Sequence, residues 1–245
     1  MIKIKQKILL VSLTLLLTSL SSWGMTSKQI IYKAYISADM QLWRTVIDNL
    51  HAKANKTLEQ ELELLNYEYG YIGWCLSQKK KQEARTYLER YDARLSRLTS
   101  EQARGIRSAY RSAYYGFEIG LNKVKAPFLG PKSTREAEQS VEADPKGWLG
   151  YLQLGNIEFH KPPIFGGSKE EALKYYLKAE QFLLKDGIVR DWNLLSLWAQ
   201  IGLTYEELDN PQKAELYYRK ALNAEPQFKW VRDELYTNLK KKKLR

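Results

Sequence analysis

Few side chains in this 245-residue sequence could carry chemistry, and they are scattered. There are two histidines, His51 and His160, and one cysteine, Cys75. Hydrolysis by a Ser–His–Asp arrangement needs nucleophile, base and orienting acid in a recognisable order, and no such order stands out. A metal site needs several His, Asp, Glu or Cys at ligand spacing. His51 has only Asp48 near it, and one carboxylate does not hold an ion. Glu206, Glu207 and Asp209 cluster at a helix end, where acids are ordinarily solvated. No glycine-rich phosphate loop follows a strand, because no segment alternates as a strand does. A lone thiol cannot close a disulfide within its own chain, so Cys75 reads as a small buried hydrophobe between Trp74 and Leu76. The expectation is a protein with no catalytic residue, no cofactor and no metal. An unrecognised hydrolase is the alternative from another class.

What remains is binding. "HKPPIFGG", residues 160 to 167, places two prolines and two glycines within six residues of an otherwise helical chain. Pro162 stops a helix, because it offers no N–H and pushes the preceding residue out of the α region. Gly166 and Gly167 permit positive φ, and Ser168 with Glu171 forms a capping box for the next helix. Ile164 and Phe165 are read as apolar anchors on the edge of the core. The stretch is then either a plain connection or an ordered lip whose glycines let a ligand approach the backbone.

The elements that must position these residues are helices in pairs. The composition is rich in Leu, Ala, Tyr, Lys and Glu and poor in Gly and Pro outside joints, which suits an all-α fold. In "WAQIGLTYEELDNPQKAELYYRKALNAEP", residues 198 to 226, Gly202 and Ala214 stand where two antiparallel helices approach closely. Trp198, Tyr205 and Tyr218 fill the space around them. Asn210 caps the second helix with Pro211 at its first position, and Pro226 is read as starting the next. Trp198, Ile201, Gly202, Tyr205, Ala214, Tyr218, Ala221 and Pro226 fall on the signature positions of the tetratricopeptide repeat, which this segment resembles. The pattern recurs through Tyr151, Leu154, Gly155, Ala172, Tyr176 and Ala179, with "HKPPIFGG" as a turn enlarged by five residues. "VKAPFLGP", residues 124 to 131, is read as a second enlarged turn, followed by a helix capped by Ser133 and Glu136. Thr57 with Gln60 opens a further helix, and residues 26–54 suggest a pair broken near Ser37–Asp39. The count is about five helix pairs plus a capping helix. The fold class expected is an all-α, tetratricopeptide-like α-solenoid, with its clearest repeats over 100–145, 146–184 and 191–226 and a cap over 227–245.

In such a solenoid, positions 5, 9 and 12 of each first helix face the groove. That nominates Leu152, Asn156 and Phe159 in one unit, and Leu203 and Glu206, beside Ala199, in the next. Tyr114 and Glu118 come from the preceding helix, and Phe165, Gly166 and Gly167 from the lip. The string "PPIFGGSKEEALKYYLKA" also resembles the turn and following helix of the T-component of tripartite periplasmic (TRAP-type) transporters, over roughly residues 126 to 184. That resemblance implies a non-catalytic exported protein that partners a substrate-binding protein and passes a hydrophobic ligand. The leading expectation is an exported scaffold that binds a protein partner or a small apolar ligand on its concave face. The transport accessory role is the alternative.

The ends bound where it works. Lys3, Lys5 and Lys7 precede the apolar run "ILLVSLTLLLTSL", and Ser22 and Gly24 precede Met25 in the layout of a secretory signal peptide over residues 1–24. A retained N-terminal anchor is the other reading. Export to the periplasm or beyond is expected, with no membrane span once the signal is removed. The net charge of +11 includes three lysines in that segment and five charges in the tail, Lys240–Lys243 and Arg245, leaving a mildly basic body. A nucleic-acid partner is not expected.

Overall fold

The computed structural model describes residues 24–185 and 191–243. The expected signal peptide therefore lies almost wholly outside the described residues. The first helix pair is α1 (Ser27–Ser37) and α2 (Met40–Ala52). Thr26 and Gln29 make a reciprocal capping box at its start. Ala38 takes a left-handed conformation with φ 57°, and Asp39 accepts a hydrogen bond from Leu42 N to begin α2, so the chain breaks where the sequence implied. The second pair is α3 (Leu58–Ser77) and α4 (Lys81–Arg97), opened by the Thr57–Gln60 box. Three more pairs follow: α5 (Arg104–Leu121) with α6 (Ala126–Ala143), α7 (Trp148–His160) with α8 (Lys169–Lys185), and α9 (Trp192–Glu207) with α10 (Pro211–Ala224). A π-helical turn, Trp230–Leu235, and α11 (Tyr236–Lys243) cap the last pair. Five antiparallel pairs and a cap make an all-α, tetratricopeptide-like solenoid.

One contact sets the register of each late pair. A Cβ on Gly202 would lie 2.3 Å from the Tyr218 ring, and one on Gly155 2.5 Å from the Tyr176 ring. Both rings are fully buried. Their hydroxyls donate to the first helix, Tyr218 to Glu206 at 2.6 Å and Tyr176 to Asn156 at 2.9 Å. Each tyrosine stands seven residues into its helix, and Ser133 of α6 occupies the same place. There, two small residues meet where a glycine meets a tyrosine elsewhere: Ser133 donates to the Ser112 carbonyl at 2.9 Å.

That contact overturns two sequence expectations. Ser133 is buried in mid-helix and caps nothing. "VKAPFLGP" is not an enlarged turn either. A three-residue 3₁₀ turn, Lys123–Lys125, leads directly into α6, which runs through Pro127 and Pro131. Pro127 sits in the first turn of α6, where its missing N–H breaks no bond. Pro131 forfeits one bond, and both prolines lie at the surface, where solvent satisfies the orphaned carbonyl. Pro226 also misses its expected role. It begins a turn that carries Phe228 into the core, and helix resumes only after it.

The solenoid closes on itself. Trp192 at the start of α9 packs edge-on against Trp43 of α2, with ring centroids 5.0 Å apart, and against Tyr35 of α1 at 5.6 Å. Its Nε1 donates to Asn66 of α3, which also accepts from and donates to Asn193. Tyr35 meets Phe228 at 5.0 Å, Tyr32 donates to Glu225, and Lys28 pairs with Asp191 at 3.6 Å. The N-terminal pairs thereby fill the inner face with aromatic rings. Edge-to-face rings of this kind add about 0.5–1.5 kcal/mol per pair beyond the area they bury.

Candidate functional site

The nominated residues occupy four separate places. Leu152 is buried between helices. Asn156 donates to the Tyr69 hydroxyl of α3 at 3.1 Å while accepting from Tyr176, so it ties α7 to two neighbours. Phe159 is half-buried, with the Lys169 ammonium 3.6 Å from its ring centre. Leu203 is half-buried on α9, and Glu206 is held by Tyr218 and by Lys242 of the cap at 2.9 Å. Phe165, Gly166 and Gly167 lie on the turn between α7 and α8. Only Tyr114 and Glu118 face an open concavity.

That concavity is a cleft of about 240 Å³ between α4 and α5. Arg85, Leu88 and Asp92 line it from α4, Tyr114 and Glu118 from α5, and Lys125 from the turn beyond. Helical spacing puts Tyr114 and Glu118 on one face, as it does Arg85, Leu88 and Asp92. Asp92 pairs with Arg111, whose guanidinium lies 5.2 Å from the Tyr114 ring centre, and Glu118 pairs with Lys125. Burial, then the charges of Asp92 and Glu118, raise the Tyr114 pKa, so its hydroxyl stays protonated as a donor. The cleft thus presents an aromatic face, a hydroxyl and charges of both signs. Of the cleft's lining, the sequence reading named Tyr114 and Glu118 and did not name the α4 wall. The signal was available as the alternating charges of "EARTYLERYD", residues 83 to 92, on a helix face that a buried partner would not tolerate. A second open cleft, about 300 Å³, lies at the first two pairs between Asp39, Arg44, Trp74 and Lys80.

The turn after α7 is ordered but not anchored as expected. Phe165 N and Gly167 N donate to the Pro162 carbonyl, and Gly166 N to that of Pro163, closing a 3₁₀ turn over Pro163–Phe165. Ser168 accepts from Glu171 N at 3.1 Å, but its hydroxyl turns to Glu170 and Glu171 pairs with Lys174, so half of the capping box forms. Ile164 and Phe165 do not tuck onto the core. They are 85% and 74% exposed. The backbone bonds, not apolar anchors, fix the turn, which leaves both side chains pointing outward. Gly166 has φ 82° in open space, whereas a Cβ on Gly167 would lie 1.8 Å from the Lys161 carbonyl oxygen. Gly166→Ala is therefore expected to cost about 1–2 kcal/mol, and Gly167→Ala clearly more, since backbone must move. Paired thermal melts check the order. The turn of the preceding pair is close by. Loss of hydration around the ring, then the ammonium groups of Lys169 and Lys123, lower the His160 pKa.

Among the described residues, no group of His, Cys, Asp and Glu is placed to hold a metal ion. No described helix is long and apolar enough to cross a membrane. Cys75 is buried, and desolvation pushes its thiol up to about 12.

Comparison with known proteins bears on the fold. No curated protein matches the chain. Among solved structures, the HusA haemophore from Porphyromonas gingivalis is similar over 76% of this chain and 96% of its own, with 14% identity and a TM-score of 0.53, a likeness of fold. A tetratricopeptide-repeat family profile matches residues 195–228, the α9–α10 pair whose Gly202–Tyr218 contact sets the register.

Proposed function

We propose that this chain is an exported, non-catalytic tetratricopeptide-like scaffold that binds a protein partner in the α4–α5 cleft. The observation that carries the reading is where open space remains. The inner face that would take a ligand in an open solenoid is filled by Trp192, Trp43, Tyr35 and Tyr69. The cleft beside it is open and carries Arg85, Asp92, Glu118 and Lys125 around Tyr114. Charges of both signs around an aromatic suit a peptide segment of mixed charge better than a small apolar molecule, whose sites are mainly apolar. Repeat solenoids generally work by binding, and the repeat match and the likeness to a haemophore both support a binding role. The resemblance of the 126–184 region to a transporter T-component favours a second reading, in which the partner is a solute-binding protein.

Capture of partners on the immobilised chain, with identification by mass spectrometry, tests both readings. Asp92→Arg with Glu118→Lys is expected to weaken retention of the specific partner at least about tenfold, because each reversal sets like charges against it. Helicity should be unchanged, since both side chains are partly exposed. Retention equal to wild type would remove the cleft from the account. A solute-binding protein as the captured partner would favour the transport role.

A further inference from the structure

The first helices of successive pairs run side by side, so the turns that follow them gather on one rim. The middle three of these turns, taken with the helix ends that flank them (residues 78–82, 122–132 and 160–169), contain Lys79–Lys81, Lys123, Lys125, Lys132, Lys161 and Lys169 and no Asp or Glu, while the outer two, residues 38–39 and 208–210, carry Asp39 and Asp209. The opposite rim is mixed, with Glu101, Asp144 and Glu225 in its turns. Lys80, Lys125 and Lys161 have carboxylates within ion-pair distance on the helices behind, in Glu83, Glu118 and Glu158. Lys79, Lys81 and Lys123 have none among the described residues. Large apolar side chains crowd the same rim. Of the eight that are exposed among the described residues, four sit at two of these joints: Val124 at 77% in the turn before α6, Phe128 at 73% at the start of α6, and Ile164 at 85% and Phe165 at 74% in the turn after α7. Such a concentration on a folded surface marks a contact site.

We propose that this rim docks on an anionic phospholipid bilayer, with Val124, Phe128, Ile164 and Phe165 entering the headgroup boundary and the lysines facing lipid phosphates. Charge complementarity selects the occupant: three successive cationic turns around apolar tips match a surface that is anionic outside and apolar within. Lysine stems lie along the apolar boundary while their ammonium groups reach phosphate. The turn is suited to this because its backbone bonds and the left-handed Gly166 hold Ile164 and Phe165 outward. Docking here leaves the inner-face packing untouched and places the α4–α5 cleft, which shares Lys125, next to the bilayer.

The buried Cys75 allows a site-specific test, because an added surface cysteine is the thiol that reacts. The full chain is labelled with an environment-sensitive dye at Ile164→Cys or, as a control away from the rim, at Leu216→Cys. It is then mixed with phosphatidylcholine vesicles, with or without phosphatidylglycerol. The expected result is a blue shift at position 164 with the anionic vesicles only, lost at 1 M salt, where the screening length is about 3 Å. Position 216 should not respond. Lys79→Gln, Lys81→Gln and Lys123→Gln together should weaken the response roughly 100-fold. Deleting residues 162–166, which restores the short turn seen between α9 and α10, should keep helicity and abolish the response of a dye at Val124→Cys. No anionic-dependent shift at 164, an equal shift with neutral vesicles, or an equal shift at 216 would overturn the proposal. Shielding of the dye by a protein from the host, with no response to vesicles, would assign the rim to a protein partner instead. Because the readout is local to the rim, an N-terminal segment that itself binds lipid does not imitate it. Failure here leaves the cleft reading standing, since that rests on partner capture.

Discussion

Gly202→Leu is expected to lower the unfolding midpoint by about 6–12 °C. The position has no room: a single Cβ would already lie 2.3 Å from Cε1 of Tyr218. Tyr218 cannot yield easily, because it is fully buried and its hydroxyl is tied to Glu206. Overpacking of this kind costs about 3 kcal/mol, and each kcal/mol shifts the midpoint of a chain this size by about 2–4 °C. The control is Gly116→Ala on α5, where nothing lies within 4 Å of an added Cβ. There the gain in helix propensity should stabilise by about 0.5–1 kcal/mol. Thermal melts of both variants beside wild type decide the matter. An unchanged midpoint for Gly202→Leu would show that the α9–α10 register is misplaced.

Arg94→Met is expected to cost about 3–5 kcal/mol, the usual effect of stranding one partner of a buried ion pair. Arg94 and Glu68 are 1% and 0% exposed. The guanidinium donates through Nε and Nη2 to the two oxygens of Glu68, at 3.1 and 3.2 Å, and through Nη1 to Glu61. Its Nη2 also lies 3.1 Å from His51 Nδ1. Burial raises the Glu68 pKa and Arg94 opposes the rise. Removing Arg94 lets the folded-state pKa climb further above the unfolded value of about 4.3. A carboxylate raised in the folded state favours folding below its unfolded pKa and loses that contribution as pH rises through the folded pKa. The deficit of the variant should therefore be small near pH 4 and grow toward neutrality. His51 pushes the same way. Burial lowers its pKa, as do Arg90 and Arg94, and loss of Arg94 relieves part of that at acid pH. Chemical denaturation across pH 4 to 8 checks the sign; a deficit that is constant or largest in acid would contradict it. Adding Glu68→Leu to the variant should restore most of the stability, because two apolar groups need no counter-charge.

How much could be read from the sequence follows from how local each determinant is. Gly202 with Tyr218, Thr57 with Gln60, and the break at Ser37–Asp39 are set by neighbours along the chain or one turn away, and each was legible. "VKAPFLGP" misled because its prolines fall where a helix tolerates them, and the Ser112–Ser133 contact across the pair decided for helix. Ile164 and Phe165 misled because apolar residues in a turn ordinarily fold inward. Here the turn is closed by its own backbone and has no use for them as anchors. The closure of the solenoid was not legible at all. It depends on Trp192 meeting Trp43 and Tyr35 from the far end of the chain, and no periodicity records such a contact. Leu152 and Asn156, groove positions by repeat register, are instead a buried packing residue and a bridge between Tyr69 and Tyr176. Tyr114 and Glu118 lie outside the closed face and so remained open.

The most direct test of the account is amide hydrogen exchange of the chain with and without its captured partner. The account predicts added protection in two segments that face each other across the cleft, residues 85–92 of α4 and 114–125 of α5 and its turn, with α7 and α9 unchanged. Protection confined to residues 152–159 and 199–206, with the α4–α5 cleft unaffected, would show that the partner reaches the inner face and would contradict it.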